Sequence, residues 1–280
     1  MKTPPIVLTI AGFDPSSGAG VTADIKTIAA HGCYGIACIT AMTVQSTAGV
    51  RRVESVPTEL IRDTLNELVR DVEIAAVHIG MLGTGEVAGV VAKFLEKSKP
   101  PNVVLDPILK SSSGAELLDS EGTKILRTDL LRRASVVTPN IDEASTLTGL
   151  PVSSLEQMRA AAIRLHEMGA KAVVVTGGHL EKAVDLLSFS GRRGIQQEVF
   201  KSPRQESNST HGTGCAFASA LACHLAQGRD LPEAVLLAKV YVSAAIASGY
   251  SLGRGTAPVH HLYRMYQQRR VLIADPEPVK

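Results

Sequence analysis

A chain of 280 residues is long enough to bury one large α/β core or two small ones. Its 45% hydrophobic and 20% charged residues are ordinary for a globular protein. A net charge of +2, arginines clustered only in isolated pairs, 4% aromatics and no tryptophan argue against a nucleic-acid surface and against a carbohydrate cleft.

In chain order, short β-branched runs predict strands at Ile6–Ile10, Ile36–Thr43, Ala75–Ile79, Val103–Leu105, Ser135–Val137 and Ala172–Val175. Helical periodicity predicts helices between them, near Thr22–Ala30, Thr58–Val69, Glu86–Leu95, Thr123–Arg132 and Leu155–Met168. The last opens on Ser153-x-x-Glu156, a capping-box spacing. After Gly177, Val184–Phe189 and Ile195–Phe200 flank the turn-rich Ser190-Gly191-Arg192-Arg193-Gly194 and predict a hairpin at a sheet edge. Two helices, Thr213–Ala226 and Pro232–Gly249, follow. Continuous hydrophobic strands alternating with helices predict an α/β fold with a mostly parallel sheet covered on both faces. With no repeat or linker, residues 1–280 read as one domain, of which 271–280 form a C-terminal tail.

Cys33, Cys38, Cys215 and Cys223 contain no C-x-x-C pair, so a disulfide framework is not expected and a reducing, cytoplasmic setting is. The apolar run Ile6–Phe13 is too short for a signal peptide, and Leu231–Tyr250 carries Glu233 and Lys239, as a buried helix would and a membrane span would not.

In a parallel sheet, functional groups collect where strands end on the carboxyl side. Gly12 and Asp14, Val44 and Gln45, Gly80 and Met81, Asp106, Thr138-Pro139-Asn140 and Thr176-Gly177-Gly178 all fall there. Gly18-Ala19-Gly20-Val21-Thr22-Ala23 matches a loose dinucleotide fingerprint. However, Gly12-Phe13-Asp14-Pro15-Ser16-Ser17 intervenes between strand and glycines, and no acid follows between Ile36 and Arg52 to hold a ribose. Those glycines instead suit a loop lying close over a small ligand, with Asp24 on the first turn of the next helix. A P-loop is absent.

Thr210-His211-Gly212-Thr213-Gly214-Cys215 runs straight into an alanine-rich helix. Unpaired N–H groups at the positive end of a helix dipole suit a phosphate, and the same field favours a Cys215 thiolate. The same residues also describe a tightly packed helix start with a small buried cysteine. Asp106 and Glu143 together suit magnesium, which needs few carboxylates beside phosphates; singly, they read as a turn cap and an exposed helix acid. Gln45 presents a donor and an acceptor side by side, the complement of an aminopyrimidine edge, with Val44 and Met81 as apolar walls; it is equally an ordinary polar loop residue. The eight histidines offer no helical i, i+4 metal pair, and the adjacent His260 and His261 are expected to point apart.

The ordered segments Thr9–Gly20, Ala23-Asp24-Ile25-Lys26, Thr43-Val44-Gln45-Ser46-Thr47, Val104–Pro107, Thr138–Ala144, Gly177-Gly178-His179-Leu180, His211–Cys215 and Pro258–His261 resemble the hydroxymethylpyrimidine/phosphomethylpyrimidine kinases of thiamine biosynthesis. The likeness covers nearly the whole chain. It implies a ribokinase-like three-layer sandwich in which ATP phosphorylates 4-amino-5-hydroxymethyl-2-methylpyrimidine and then its monophosphate. It further implies that Gln45 binds the ring, with Gly12, Val44, Met81 and Asp24 around it. Gly212, Thr213 and Gly214 would form the anion hole, and Asn140, Thr176 and Gly178 would meet ATP. Asp106 and Glu143 would serve Mg2+, and Cys215 would stand where many relatives place an aspartate base. A homodimer is implied too. Phe13, Ser17, the stretch Ile108–Gly114 and Thr176 depart from the common pattern, leaving phosphate contacts near Lys110 and Thr176 open. A pyridoxine/pyridoxal kinase is the alternative within enzymes, and a non-catalytic pyrimidine-binding regulator the alternative of another class.

Overall fold

The computed structural model describes residues 3–111, 114–178, 183–191, 194–203, 205 and 207–266. The chain enters on β1 (Ile6–Phe13), crosses through α1 (Gly20–Ala30) to β2 (Tyr34–Ser46), and folds back as β3 (Gly49–Ser55). It then runs through α2 (Thr58–Asp71), β4 (Ile74–Ile79), α3 (Gly85–Ser98) and β5 (Val103–Leu105). A composite helix follows, in which α4 (Ser120–Ile125) continues through a π-helical turn (Leu126–Leu130) into α5 (Leu131–Arg133). Next come β6 (Val136–Val137), α6 (Ile141–Thr148), α7 (Leu155–Glu167), β7 (Ala172–Gly177), β8 (Ala183–Gly191) and β9 (Gly194–Ser202). The described chain closes with β10 (Ser209–His211), α8 (Thr213–Ala226), α9 (Leu231–Ala247) and β11 (Ala257–Pro258).

Nine strands form one sheet in the order β3-β2-β1-β4-β5-β6-β7-β8-β9, while β10 and β11 form a small parallel pair of their own. The pairs from β2 to β7 are parallel, and β3, β8 and β9 are added through antiparallel pairs, β3 on β2, β8 on β7 and β9 on β8. Successive side chains of a strand face opposite ways, so each strand feeds two cores. On β1, Leu8 and Ile10 join α2–α7 in one core, and Val7 joins α1, α8 and α9 in the other. These are the expected three layers, with the expected hairpin β8–β9 at one edge; Arg192 and Arg193 of its turn lie outside the described residues.

The chain corrects the sequence reading in four places. β3 was not foreseen, because Arg51, Arg52 and Glu54 face solvent on an edge strand whose two faces are not buried. α6 was missed because eight residues carry little periodicity. The helix expected at Thr123–Arg132 starts earlier, capped by the Asp119 side chain on Gly122 N. The cap of α7 is Ser154, which accepts from Gln157 N, rather than Ser153 with Glu156; Ser153 N instead donates to Gln157 Oε1.

Strand order decides where a ligand fits. From β1 the chain moves one way to β2, and on returning it continues the other way from β4. Crossovers therefore leave the sheet in opposite directions at the β1/β4 boundary, and the crevice at their carboxyl ends is the switch point of an open α/β sheet. Gly12 lies near the carboxyl end of β1 and Asp14 follows the strand; Gly80 and Met81 follow β4. Among the described residues, no helix is long and apolar enough to cross a membrane.

Candidate active site

Two helix starts meet at this crevice. Gly212 is the N-cap of α8 and takes a left-handed φ of 82°, with no side chain capping the first turn. A Cβ there would collide with the Gly18 carbonyl, so glycine is required both for the conformation and for the close approach of two loops. The first N–H groups of α8 thus remain available at the positive end of its dipole. α1 likewise starts without a side-chain cap, and the Gly20 backbone at that start favours the charged form of Cys215. Gly214 faces Asp106: a Cβ on it would sit 3.5 Å from Asp106 Oδ2.

Cys215 reverses one expectation. The helix field was to favour a thiolate, yet burial pushes its thiol well above the usual range, and the nearby Asp24 and Asp106 carboxylates add to that. The Gly20 backbone works the other way without prevailing. At rest Cys215 is a neutral thiol.

Asp106 and Glu143 are both buried, and each is pushed up chiefly by burial, Asp106 to about 6 and Glu143 to about 8, with the Asp106 charge adding to the rise at Glu143. Asn140 caps α6 by accepting Glu143 N at 2.9 Å, while Glu143 Oε2 accepts Asn140 N at 2.9 Å. This closed capping box is where the expected Asn140–Glu143 element resides. Two buried oxygen acids that repel one another fit a hard dication, whose charge would offset both the desolvation and the repulsion. No cluster of three or more candidate ligands occurs among the described residues.

Gln45 lies at the end of β2, next to the α8 loop. Thr43 Oγ1 donates to Gln45 Oε1 at 3.1 Å, and Gln45 Nε2 lies 3.4 Å from His211 Nε2. Gly12 and Met81 are brought together: a Cβ on Gly12 would stand 2.8 Å from Met81 Sδ. Val44 does not join them. It is 51% exposed, on the face of β2 opposite Thr43 and Gln45, because adjacent strand residues alternate.

Asp24 departs further. It is fully buried, accepting Thr9 Oγ1 at 2.6 Å and Ser219 Oγ at 2.9 Å, with His78 Nδ1 at 3.3 Å. Burial alone would strip His78 of its proton, but Asp24, then Asp106, raise its affinity for it above the usual range. Asp24 therefore belongs to a buried polar knot linking α1, β1, β4 and α8, and its side chain is covered by protein.

Thr176 bridges to Asn140 and donates its N–H to Pro139 O at 2.9 Å, and Gly178 follows at the end of β7. His179 and Leu180 lie outside the described residues. Near Thr176, sequence reasoning overlooked Asp185, which accepts Gly177 N at 3.1 Å and Lys239 Nζ at 2.6 Å. That pair sits beside a groove of about 530 Å³ between β9 and α9, lined by Lys201, Gln205, Lys239 and Val240 among others. Lys201 is in register with Val184, and Val184 with Gly177, so the groove opens on the same rim as the crevice. The other omission is His211 with Asp14. A histidine beside a glycine pair carries no periodic signal, and its partner is 197 residues away. His260 and His261 do point apart: the His260 ring meets Tyr250, while His261 Nε2 lies 3.2 Å from Gly18 O.

Residues 14–260 match the profile of the family described as phosphomethylpyrimidine kinase. The chain is 42% identical over 260 residues to a hydroxymethylpyrimidine/phosphomethylpyrimidine kinase of Streptomyces coelicolor, covering 92% of this chain and 95% of that protein. It is 44% identical over 258 residues to the thiamine biosynthesis bifunctional protein ThiED of Geobacter sulfurreducens, covering 91% of this chain and about half, 52%, of that longer protein. Among solved structures it superposes on an ADP complex of Bacillus subtilis pyridoxal kinase with a TM-score of 0.85 and 33% identity, covering 94% of this chain and all of that one.

Proposed function

Since the chain belongs to the phosphomethylpyrimidine kinase family, we propose that it transfers the γ-phosphoryl group of ATP to 4-amino-5-hydroxymethyl-2-methylpyrimidine and then to the resulting monophosphate. The observation that carries this reading is the pairing of an uncapped α8 start with Gln45 across one crevice. The first takes an anion, and the second offers an acceptor and a donor to a ring bearing an amino group beside a ring nitrogen.

Phosphoryl transfer passes through a loose transition state, so the protein acts by positioning and by stabilising charge. The N–H groups of Gly212, Thr213, Gly214 and Cys215 cradle the migrating phosphoryl oxygens. Gly12 and Met81 flank the ring that Gln45 orients. The rim formed by Asn140, Thr176 and Gly178, with the groove at Lys201 and Lys239, receives the nucleotide. Asp106 and Glu143 would hold Mg2+, which when bound neutralises phosphate charge. Cys215, protonated at rest, orients the substrate hydroxyl through its sulfur, and the hydroxyl proton leaves late to an oxygen of the transferred phosphoryl group, when the bond to phosphorus is largely made.

The four cysteines are free, which supports a reducing cytoplasm as the setting. Met42 and Val44 present an exposed apolar pair on β2 that suits a second copy, and sedimentation velocity tests this dimer. Similarity to pyridoxal kinase structures keeps pyridoxal as a second acceptor to be measured. Purified protein with magnesium ATP is assayed on both alcohols side by side. Preferred turnover of the aminopyrimidine supports the main reading, preferred turnover of pyridoxal replaces it, and ring binding without ATP consumption identifies a regulator.

A further inference from the structure

We propose that Asp14 and His211 form a positioning dyad for ring selection: they lock the proton on the imidazole that abuts Gln45, leaving the Gln45 amide open to the donor–acceptor edge of an aminopyrimidine. The inference rests on the ring-binding role given to Gln45 above.

Asp14 is almost fully buried in the loop between β1 and α1. Its Oδ1 accepts Ser16 N at 2.8 Å and Ser16 Oγ at 2.7 Å; its Oδ2 accepts Ala19 N at 2.9 Å and lies 2.9 Å from His211 Nε2. Burial alone would raise its pKa, but these four bonds, that of His211 foremost, hold the carboxyl below the usual range. An ionised carboxylate only accepts, so the hydrogen of this bond sits on His211 Nε2 and points at Asp14.

The consequence falls on Gln45. Its amide nitrogen stands 3.4 Å from the same His211 Nε2, which has no lone pair left to offer. Two donors face one another, and the amide N–H finds no acceptor in His211. With a free Asp14-independent tautomer, Nε2 would accept that N–H and the protein would consume the group meant for the ligand. At the other end Gln45 Oε1 shares one hydrogen, that of Thr43 Oγ1, which also lies 3.0 Å from Phe13 O. The amide is therefore left under-satisfied at both ends, which favours a ligand able to complete both. The imidazole is also clamped. A Cβ on Gly18 would collide with its Cδ2 and stand 2.9 Å from Nε2, and His211 O accepts Val259 N at 3.2 Å.

The test compares wild type, Asp14→Asn and His211→Gln on two alcohols, the aminopyrimidine and its analogue lacking the 4-amino group. Calorimetric Kd without ATP and KM and kcat with magnesium ATP are measured for each, and melting curves confirm folding. A site built to pair a polar edge rejects the analogue lacking it strongly. Both variants should compress the wild-type preference, in Kd and in KM, by about tenfold, whatever happens to kcat. A preference unchanged in either variant, even with lower kcat, overturns the dyad and leaves it a structural contact. His211→Gln keeps the three other donors to Asp14, so it reads the imidazole with the loop intact. Wild-type protein that binds and discriminates the rings without phosphorylating them would sink the kinase reading while leaving the dyad standing.

Discussion

Two helices start on the same rim of the sheet, and they start in opposite ways. α6 closes its own end: Asn140 and Glu143 exchange two hydrogen bonds in a capping box. α8 leaves its end open, with a left-handed glycine for an N-cap, no side-chain cap and no acid in the first turn. A helix start that satisfies itself is a rigid support, and one that does not is a vacancy for an anion. The difference shows that the two ends divide the labour. α6 fixes Glu143, while α8 supplies N–H groups close to Asp106.

The most severe way to break this contrast is to give α8 its own anion. Gly214→Asp places a carboxylate in the first turn, beside Asp106, and is expected to lower kcat about a thousandfold, since losing a single preorganised donor already costs about 10²–10³. Gly214→Ala adds only a methyl at ordinary contact distance from Asp106 Oδ2, 3.5 Å, and should cost about tenfold or less. Steady-state turnover of both variants separates charge from bulk. Equal losses would mean that packing, not anion binding, explains the open start.

Cys215 sharpens the same contrast from inside the open end. The dipole of α8 does not ionise this thiol, because burial and the carboxylates of Asp24 and Asp106 outweigh it. Cys215→Ala should therefore retain the anion hole and lose at most about a hundredfold in kcat, the scale of lost positioning rather than of a lost base. Iodoacetamide at neutral pH should modify Cys215 slowly, and rapid labelling protected by ATP would show the thiol to be ionised after all.

The layers, the parallel sheet and most strands were legible because hydrophobic period and turn chemistry are local signals. The rim was legible as well, since every strand end in a parallel sheet points to one side. What could not be read was set by partners distant in the chain. Asp24 read as a ligand-facing group on the first turn of a helix, whereas α1 starts at Gly20 and tertiary packing of Thr9, His78 and Ser219 buries it. Val44 was placed beside Gln45 because the two are neighbours in sequence, although a strand sends neighbours to opposite faces. The Asp14–His211 bond joins positions 197 residues apart, so nothing local could announce it.

Proton linkage tests the acids beneath the two ends. Asp106, raised to about 6, and Glu143, raised to about 8, hold their protons more tightly folded than unfolded. The stability they contribute is complete at low pH, below the unfolded values, and is lost as pH rises through about 6 and then about 8. Metal-free protein should thus melt progressively lower between about pH 5 and pH 8.5 from these two groups. Magnesium at pH 8.5 should recover the loss, because it binds the deprotonated pair. In Glu143→Gln both the upper part of the pH slope and the magnesium recovery should shrink, which melting curves with and without the ion will show.

The smallest effect concerns the closed end alone. Asn140→Ala removes one half of the capping box, and loss of an N-cap side chain costs about 1 kcal/mol. In a protein of this size that lowers Tm by about 2–4 °C. If α6 is only a support, kcat should fall much less than in Gly214→Asp, with Glu143 still anchored through its own bond to residue 140 N, which alanine preserves. Asn140→Asp keeps the cap oxygen and should restore Tm, but it sets a second negative charge beside Glu143, whose pKa must then rise further. Its magnesium requirement should change while its melting point does not. A variant in which stability and magnesium dependence move together would show that the closed helix start and the acid it holds cannot be separated, and the division between the two ends would fail.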